Sequence, residues 1–220
     1  MRHCETAIGK NRYSGSLDVS LNNMGKEHAG LIAGQFKNKN INLNKIYSGS
    51  LKRAYETANV IAGKYLLEVE KLPGLNEINF GGWEGKTFDE ILSTDKEKVG
   101  EYISSPSDFR FPSGETQKEL NVRVLKALNM ILEKHLDSDE TILVVGHGGT
   151  NRVILGKALN LALDDHFKIK QDAGCINIID FFEDNAVVSL MNYTINSETL
   201  NPIKCVKECE KCRKENCYSF

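Results

Sequence analysis

Apolar positions along the chain switch between a spacing near 3.6 and a spacing of 2, and the two kinds of segment take turns. In MGKEHAGLIAGQFKNKN, Ala29, Ile32 and Phe36 recur at helical spacing. NKIYSGS reads as a short strand entering a turn, after which Ser50 is the expected cap of a helix through LKRAYETANVIAGKYLL. LEVEKLP alternates like a strand. TFDE and TQKE each fit a capping box, Thr87 with Glu90 and Thr116 with Glu119. The second box opens a long helix with an apolar stripe of Leu120, Val124, Leu125, Leu128, Ile131 and Leu132. TILVVGH is a continuous apolar run, as in a strand covered on both faces, and TNRVILGKALNLAL follows as a helix. CINIIDFF and AVVSLMNY, separated by EDN, form a terminal antiparallel pair. This order predicts an α/β fold, a three-layer sandwich whose mostly parallel central sheet carries helices on both faces. No repeat and no linker interrupts it before about Asn201, so one domain is expected over 1–200 and a Cys-rich tail over 201–220.

Composition removes several function classes. The 220 residues are 40% hydrophobic and 26% charged, with a net charge of −2, which is ordinary for a globular protein and gives no basic face for nucleic acid. No apolar run approaches a membrane span, and MRHCETAIGK lacks the apolar core of a signal peptide, so a cytoplasmic protein with reduced thiols is expected.

The polar residues that the pattern puts at strand ends carry the chemistry. His147 stands where an apolar strand gives way to a helix, inside GHGG. Ligands of open α/β sheets bind at that edge, and free amides at the helix start, from Gly148 onward, favour an anion. Arg53 follows a different strand, and Glu77 lies in the Gly-rich loop LNEINFGGWEG. One pocket is therefore expected to collect Arg2, His3, Arg53, Glu77 and His147. Guanidiniums match phosphoryl oxygens, and a neutral imidazole attacks phosphorus to give a phosphohistidine. Neighbouring cations keep that imidazole neutral. A carboxylic acid, for which Glu77 is the candidate, protonates the leaving oxygen and then deprotonates water. No metal or cofactor is required, and the expected partner is a small-molecule phosphate ester.

RHCET, NRYSGSLDVSLNNMG, YSGSLKRAYETA, LNEINFGGWEG, PSGET and VVGHGGTNRV resemble, in order, the motifs of the histidine phosphatase (phosphoglycerate mutase-like) superfamily, over nearly the whole chain to about Asn196. The resemblance implies that His3 is the phosphorylated nucleophile. It further implies that Arg2, Arg53 and His147 complete the phosphate pocket, that Glu77 is the proton donor and that Ser14 and Gly15 approach the substrate. Within the superfamily, LNEINFGGWEG and DAGCINIIDF look most like α-ribazole phosphatases of cobalamin synthesis, which implies α-ribazole 5'-phosphate as substrate. Other histidine phosphatases or mutases, acting on phosphoglycerate or sugar phosphates, are the alternative. A mutase needs a sheltered phosphoenzyme, and Gly85 to Pro112 is short for an enclosing insertion.

The chain departs from the family pattern at three places. Cys4 stands where the family usually has Gly, and Gly9 where it often has Asn. An apolar strand normally precedes the Arg-His pair, whereas only Met1 does here, so the first central strand is expected to be missing and the natural chain to start upstream. These departures leave open a relative that binds phosphorylated ligands without turnover. A cysteine mechanism at Cys4 is disfavoured, because a thiolate cradle wants Arg six residues later and position 10 is Lys. In the tail, Cys205, Cys209, Cys212 and Cys217 follow C-x3-C-x2-C-x4-C, which leaves a zinc or iron–sulfur site open beside reduced thiols in a plain tail.

Overall fold

The computed structural model describes residues 1–8, 11–136 and 138–195. Position 9 and all four tail cysteines lie outside the described residues.

Three parallel strands form the central sheet: β1 (Lys45–Ser48), β2 (Val69–Lys71) and β3 (Ile142–Val145), in the order β2-β1-β3. Ile46 sits opposite Val69 on one side and Leu143 on the other. Alternation then divides the side chains between two layers. Ile46, Leu143 and Val145 pack with Ala29, Ile32, Ala54 and Ile61 of α1 (Asn23–Asn38) and α2 (Lys52–Tyr65). Tyr47, Ile142 and Val144 point the other way, onto Ala127 and Ile131 of α5 (Gln117–His135) and Ile154 of α6 (Gly148–Ala158). The expected three-layer sandwich is the observed one. The terminal pair, β4 (Ile176–Phe181) and β5 (Ala186–Tyr193), is antiparallel and forms a separate two-stranded sheet.

Both expected capping boxes are present, at Thr87 before α3 (Phe88–Thr94) and at Thr116 before α5. The cap at Ser50 is not. Leu51 holds the N-cap position of α2, and Asp18 Oδ1 instead accepts from the Lys52 amide at 2.7 Å. A remote carboxylate serves the helix end, which a local reading of the sequence does not see. The helix expected from Thr150 starts two residues earlier, so His147 directly precedes its first residue. Between β2 and α5, the chain makes an excursion through α3 and α4 (Lys96–Ser104), built on Trp83, Phe109, Phe111 and Tyr102 packed mostly edge to face.

The start of the chain lies beside β3. The Gly146 amide donates to Met1 O and the His3 amide to Gly146 O, both at 3.0 Å, around a parallel bridge between Arg2 and Gly146. On the other side, the Arg2 amide donates to Cys175 O at 3.0 Å and the Gly174 amide to His3 O at 2.9 Å. Four backbone bonds thus fix Arg2 and His3 at the carboxyl edge of the sheet, where an isolated bridge stands in place of a strand. Alongside it a cleft of about 130 Å3 opens between β3 and β4, lined by Met1, Ile142, Val144, Ile179 and Phe181.

Candidate active site

Parallel strands put their carboxyl ends on one edge, and that edge carries the reactive side chains. His3 is 5% exposed, and Arg53 and His147 are fully buried. The two imidazoles stand 5.1 Å apart, tilted by 59°. Gly49 makes this approach possible, since a β-carbon there would lie 3.0 Å from His147 Nε2.

The tautomer of His3 follows from its neighbours. Arg53 Nε is always a donor, and it lies 3.2 Å from His3 Nε2, so that nitrogen carries the lone pair. Nδ1 then holds the proton and donates to Cys4 O at 2.7 Å. Burial, with Arg2 and Arg53 adding to it, holds the His3 pKa well below the usual imidazole value. Burial does the same at His147, followed by the charges of His3, Arg53 and Arg2. A neutral imidazole with its lone pair at Nε2 is a nucleophile once Arg53 yields that atom to phosphorus.

Unpartnered atoms mark where an anion fits. Among the described residues, four buried side-chain nitrogens have no hydrogen-bond partner: Arg2 Nε, both ring nitrogens of His147, and His166 Nδ1. Three of the four belong to this site, and such atoms are costly unless water or a ligand satisfies them. Arg2 is held for the purpose by Nη1 donating to Gln171 O at 2.6 Å.

Arg53 is placed differently from the expectation of a free phosphate fork. Nη1 and Nη2 donate to the carbonyls of Leu17 and Gly15, each at 2.6 Å, leaving only Nε towards His3. Gly15 adopts φ +42°, and a β-carbon there would come within 2.1 Å of Glu84 Oε1, so glycine is required to seat this strap. Glu84 latches the same strap by accepting from the Ser16 amide at 2.6 Å. Ser14 and Gly148 line the adjoining cavity of about 710 Å3, together with Arg2, Glu77, Tyr13 and Arg152.

Glu77 reaches the start of α6. Its two oxygens accept from the Gly149 amide at 3.0 and 3.1 Å, and Oε1 also accepts from its own neighbour Ile78 at 3.0 Å. Arg123 braces the loop from behind, donating to the carbonyls of Asn76 and Glu77 at 2.6 and 2.7 Å while pairing with Glu115 at 2.8 Å. The structure therefore brings Arg2, His3, Arg53, Glu77, His147 and Gly148 together as the sequence predicts. Cys4 is buried, its amide donates to Thr57 Oγ1 at 3.1 Å, and burial pushes its thiol up to about 12, so no thiolate competes with His3.

Arg123, Gln171, Glu84 and Arg152 escaped the sequence reading. Arg123 and Arg152 fall on helices, where an arginine signals only a solvated face. PSGET, which holds Glu115, the partner of Arg123, and VVGHGGTNRV, which holds Arg152 itself, carried the available signal.

A model of the histidine phosphatase superfamily (branch 1) matches residues 1–194. The chain belongs to that superfamily. The chain is 29% identical to phosphoserine phosphatase 1 of Hydrogenobacter thermophilus over 195 residues, covering 88% of this chain and 90% of that one. Its fold matches a putative alpha-ribazole-5'-P phosphatase of Escherichia coli at TM-score 0.80 and 24% identity, covering 89% and 96% of the two chains. It also matches phosphoserine phosphatase of Entamoeba histolytica in complex with 3-phosphoglyceric acid, at TM-score 0.76 and 28% identity over 88% and 94%. No helix among the described residues is long and apolar enough to cross a membrane.

Proposed function

We propose that this histidine phosphatase is a phosphomonoesterase that hydrolyses a small phosphate ester through a phosphohistidine at His3. The observation that carries the reading is the cluster of unpartnered buried nitrogens, Arg2 Nε and both of His147, beside a His3 whose Nε2 lone pair is fixed by its tautomer.

His3 Nε2 attacks phosphorus, forming an N–P bond as the ester P–O bond breaks. Cys4 O, accepting from Nδ1, stabilises the positive charge that develops on the ring. Arg2 Nε and His147 donate to the equatorial phosphoryl oxygens, where charge gathers in the transition state. Glu77, as a carboxylic acid, gives its proton to the departing oxygen. In the second half, the same carboxylate takes a proton from water, and the resulting hydroxide displaces His3 and releases inorganic phosphate. Atoms balance with one water consumed per ester.

Two ester classes fit this chemistry. The resemblance of LNEINFGGWEG and DAGCINIIDF supports α-ribazole 5'-phosphate. Phosphoserine or a phosphoglycerate is supported by the names of the relatives above and by a guanidinium, Arg152, on the cavity wall. The test of the shared mechanism is chemical trapping. Rapidly quenched wild-type protein given a radiolabelled aryl phosphate is expected to carry an acid-labile, alkali-stable phosphoryl group, absent from His3→Ala. Label that persists on histidine in His3→Ala would sink the assignment, as would a binder that never turns the ester over.

A further inference from the structure

Gln171 carries a fully used amide in an otherwise irregular stretch. Residues 169–175 belong to no helix or strand, and Gln171 is 4% exposed. Its Oε1 accepts from Asn177 Nδ2 at 2.8 Å, Asn151 Nδ2 at 3.1 Å and Cys175 Sγ at 3.3 Å. Its Nε2 donates to Lys170 O at 2.8 Å and to Asn177 Oδ1 at 2.9 Å. Main-chain groups fix which end of each amide is oxygen. The Asn192 amide donates to Asn177 Oδ1 at 2.8 Å, and Lys170 O can only accept, so neither side chain can turn over.

These bonds converge on the support of Arg2. Asn151 lies on α6, whose first residue follows His147, and Asn177 lies on β4. A β-carbon on Gly146, the residue bridged to Arg2, would lie 3.0 Å from Asn151 Oδ1. Cys175 O accepts from the Arg2 amide at 3.0 Å. Among the described residues, the Arg2 guanidinium finds one hydrogen-bond acceptor, the main-chain oxygen of Gln171 itself, at 2.6 Å. A guanidinium is held only as well as the carbonyl it donates to, and neither a strand ladder nor a helix holds this one. The side-chain amide does, by tying residue 171 to α6, β4 and Cys175. Arg2 Nε, buried and without a partner, is thereby kept where an anion fits.

We propose that Gln171 is a positioning residue of this site: its side-chain amide touches no reacting atom, and it aims Arg2 Nε at the phosphoryl group by fixing the carbonyl behind that arginine. This rests on the phosphatase reading given above. Loss of the amide leaves several buried donors and acceptors unpaired at once, so the stretch must shift to satisfy them, and the Arg2 anchor shifts with it.

The experiment is a double-mutant cycle between Gln171→Met and Arg2→Ala. Methionine keeps the side chain's length and removes the amide without adding charge. Two quantities are read: kcat/KM for p-nitrophenyl phosphate, and the Kd of orthovanadate, a phosphate analogue whose binding needs no turnover. Gln171→Met is expected to weaken both by about 10- to 100-fold, the cost of a misplaced phosphate donor. Added to Arg2→Ala, it should cost less than about threefold, because the group it positions is already gone. Equal losses in the two backgrounds would mean that the amide merely supports the fold, and overturn the proposal. So would wild-type values for both quantities in Gln171→Met. Asn177→Ala removes two bonds from the same amide on β4. It should lose about three- to tenfold, again only while Arg2 is present, and it carries the test if Gln171→Met does not fold; undiminished vanadate affinity there also overturns the proposal. A wild type that binds vanadate yet hydrolyses no ester fails the phosphatase reading alone, and the vanadate affinities still decide the coupling. A wild type that neither binds vanadate nor hydrolyses an ester removes both.

Discussion

The two ends of the cavity are built by different means. At the phosphate end, His3, His147 and Arg53 leave from the edge of a parallel sheet and are buried to 5% exposure or less. Backbone bonds on two sides fix His3 and its neighbour Arg2, through Gly146 on one and through Gly174 and Cys175 on the other. At the leaving-group end, Glu77, Phe80 and Asp89 come from the excursion between β2 and α5, which contains only short helices and turns. The first end is a property of the sheet; the second is held by side chains, above all Arg123 and the aromatic cluster around Trp83. On the proposed function, the end built on the sheet edge takes the phosphate and the end built on the excursion takes the rest of the ester, a division that lets the leaving-group side vary without disturbing the sheet.

The sharpest test of that division is Glu77→Gln. If Glu77 protonates the leaving oxygen, the loss in the first half-reaction should depend on how much that oxygen needs a proton. An alkyl phosphate is expected to lose about 100-fold or more in kcat/KM, which excludes the later water step, and a p-nitrophenyl ester less than about tenfold. The ratio of kcat/KM on the two esters decides it, and equal losses would show that Glu77 is not the proton donor.

A smaller effect is expected at Gly149, which stands on the phosphate-end helix yet touches the other end. A β-carbon there would lie 2.5 Å from Glu77 Oε1 and 3.2 Å from Leu120 Cδ2. Gly149→Ala must therefore displace the carboxylate, while the helix itself gains up to about 1 kcal/mol in propensity. An alkyl phosphate should lose about tenfold in kcat, with the thermal midpoint unchanged or raised. A midpoint that falls along with activity would mean that the helix start, and not Glu77, was disturbed.

The same division governs what the sequence discloses. The alternation of strands and helices, the antiparallel terminal pair and both capping boxes are written in local spacing, and so is the edge where His3, Arg53 and His147 meet. Parallel strands leave no choice about which edge that is. What stayed hidden depends on remote partners. Asp18 serves the start of α2 in place of Ser50, Gly15 and Leu17 claim the fork of Arg53, and Arg123 crosses from α5 to hold the Glu77 loop. Each joins residues tens of positions apart by one side-chain bond, and no periodicity announces such a bond. The roles of the site residues are likewise proposals that rest on geometry and family together.

The smallest effect expected separates the ends by pH and not by ester. His3 and His147 are held neutral in the folded protein, with pKa values well below the ordinary 6.5, chiefly by burial. In the unfolded chain both regain that ordinary value. Below about pH 6.5 the unfolded state therefore binds more protons than the folded one, so stability must fall as pH drops. The loss begins near the unfolded value and continues until the folded imidazoles titrate, at up to about 1.4 kcal/mol per pH unit for each ring. Above pH 7 the two rings contribute no slope. Catalysis should behave differently over the same window, since Nε2 of His3 keeps its lone pair there and kcat/KM should show no protonation step at 6.5. Urea midpoints between pH 5 and 7.5, for wild type and His147→Gln, isolate the effect: the variant should lose about one ring's share of the slope. Carboxylates at the leaving-group end, such as Glu115 with its pKa lowered by Arg123 despite burial, act in the same direction only at more acid pH. An unchanged slope in His147→Gln would mean that the buried imidazole is not held neutral, and that the phosphate end is less tightly built than its backbone bonds imply.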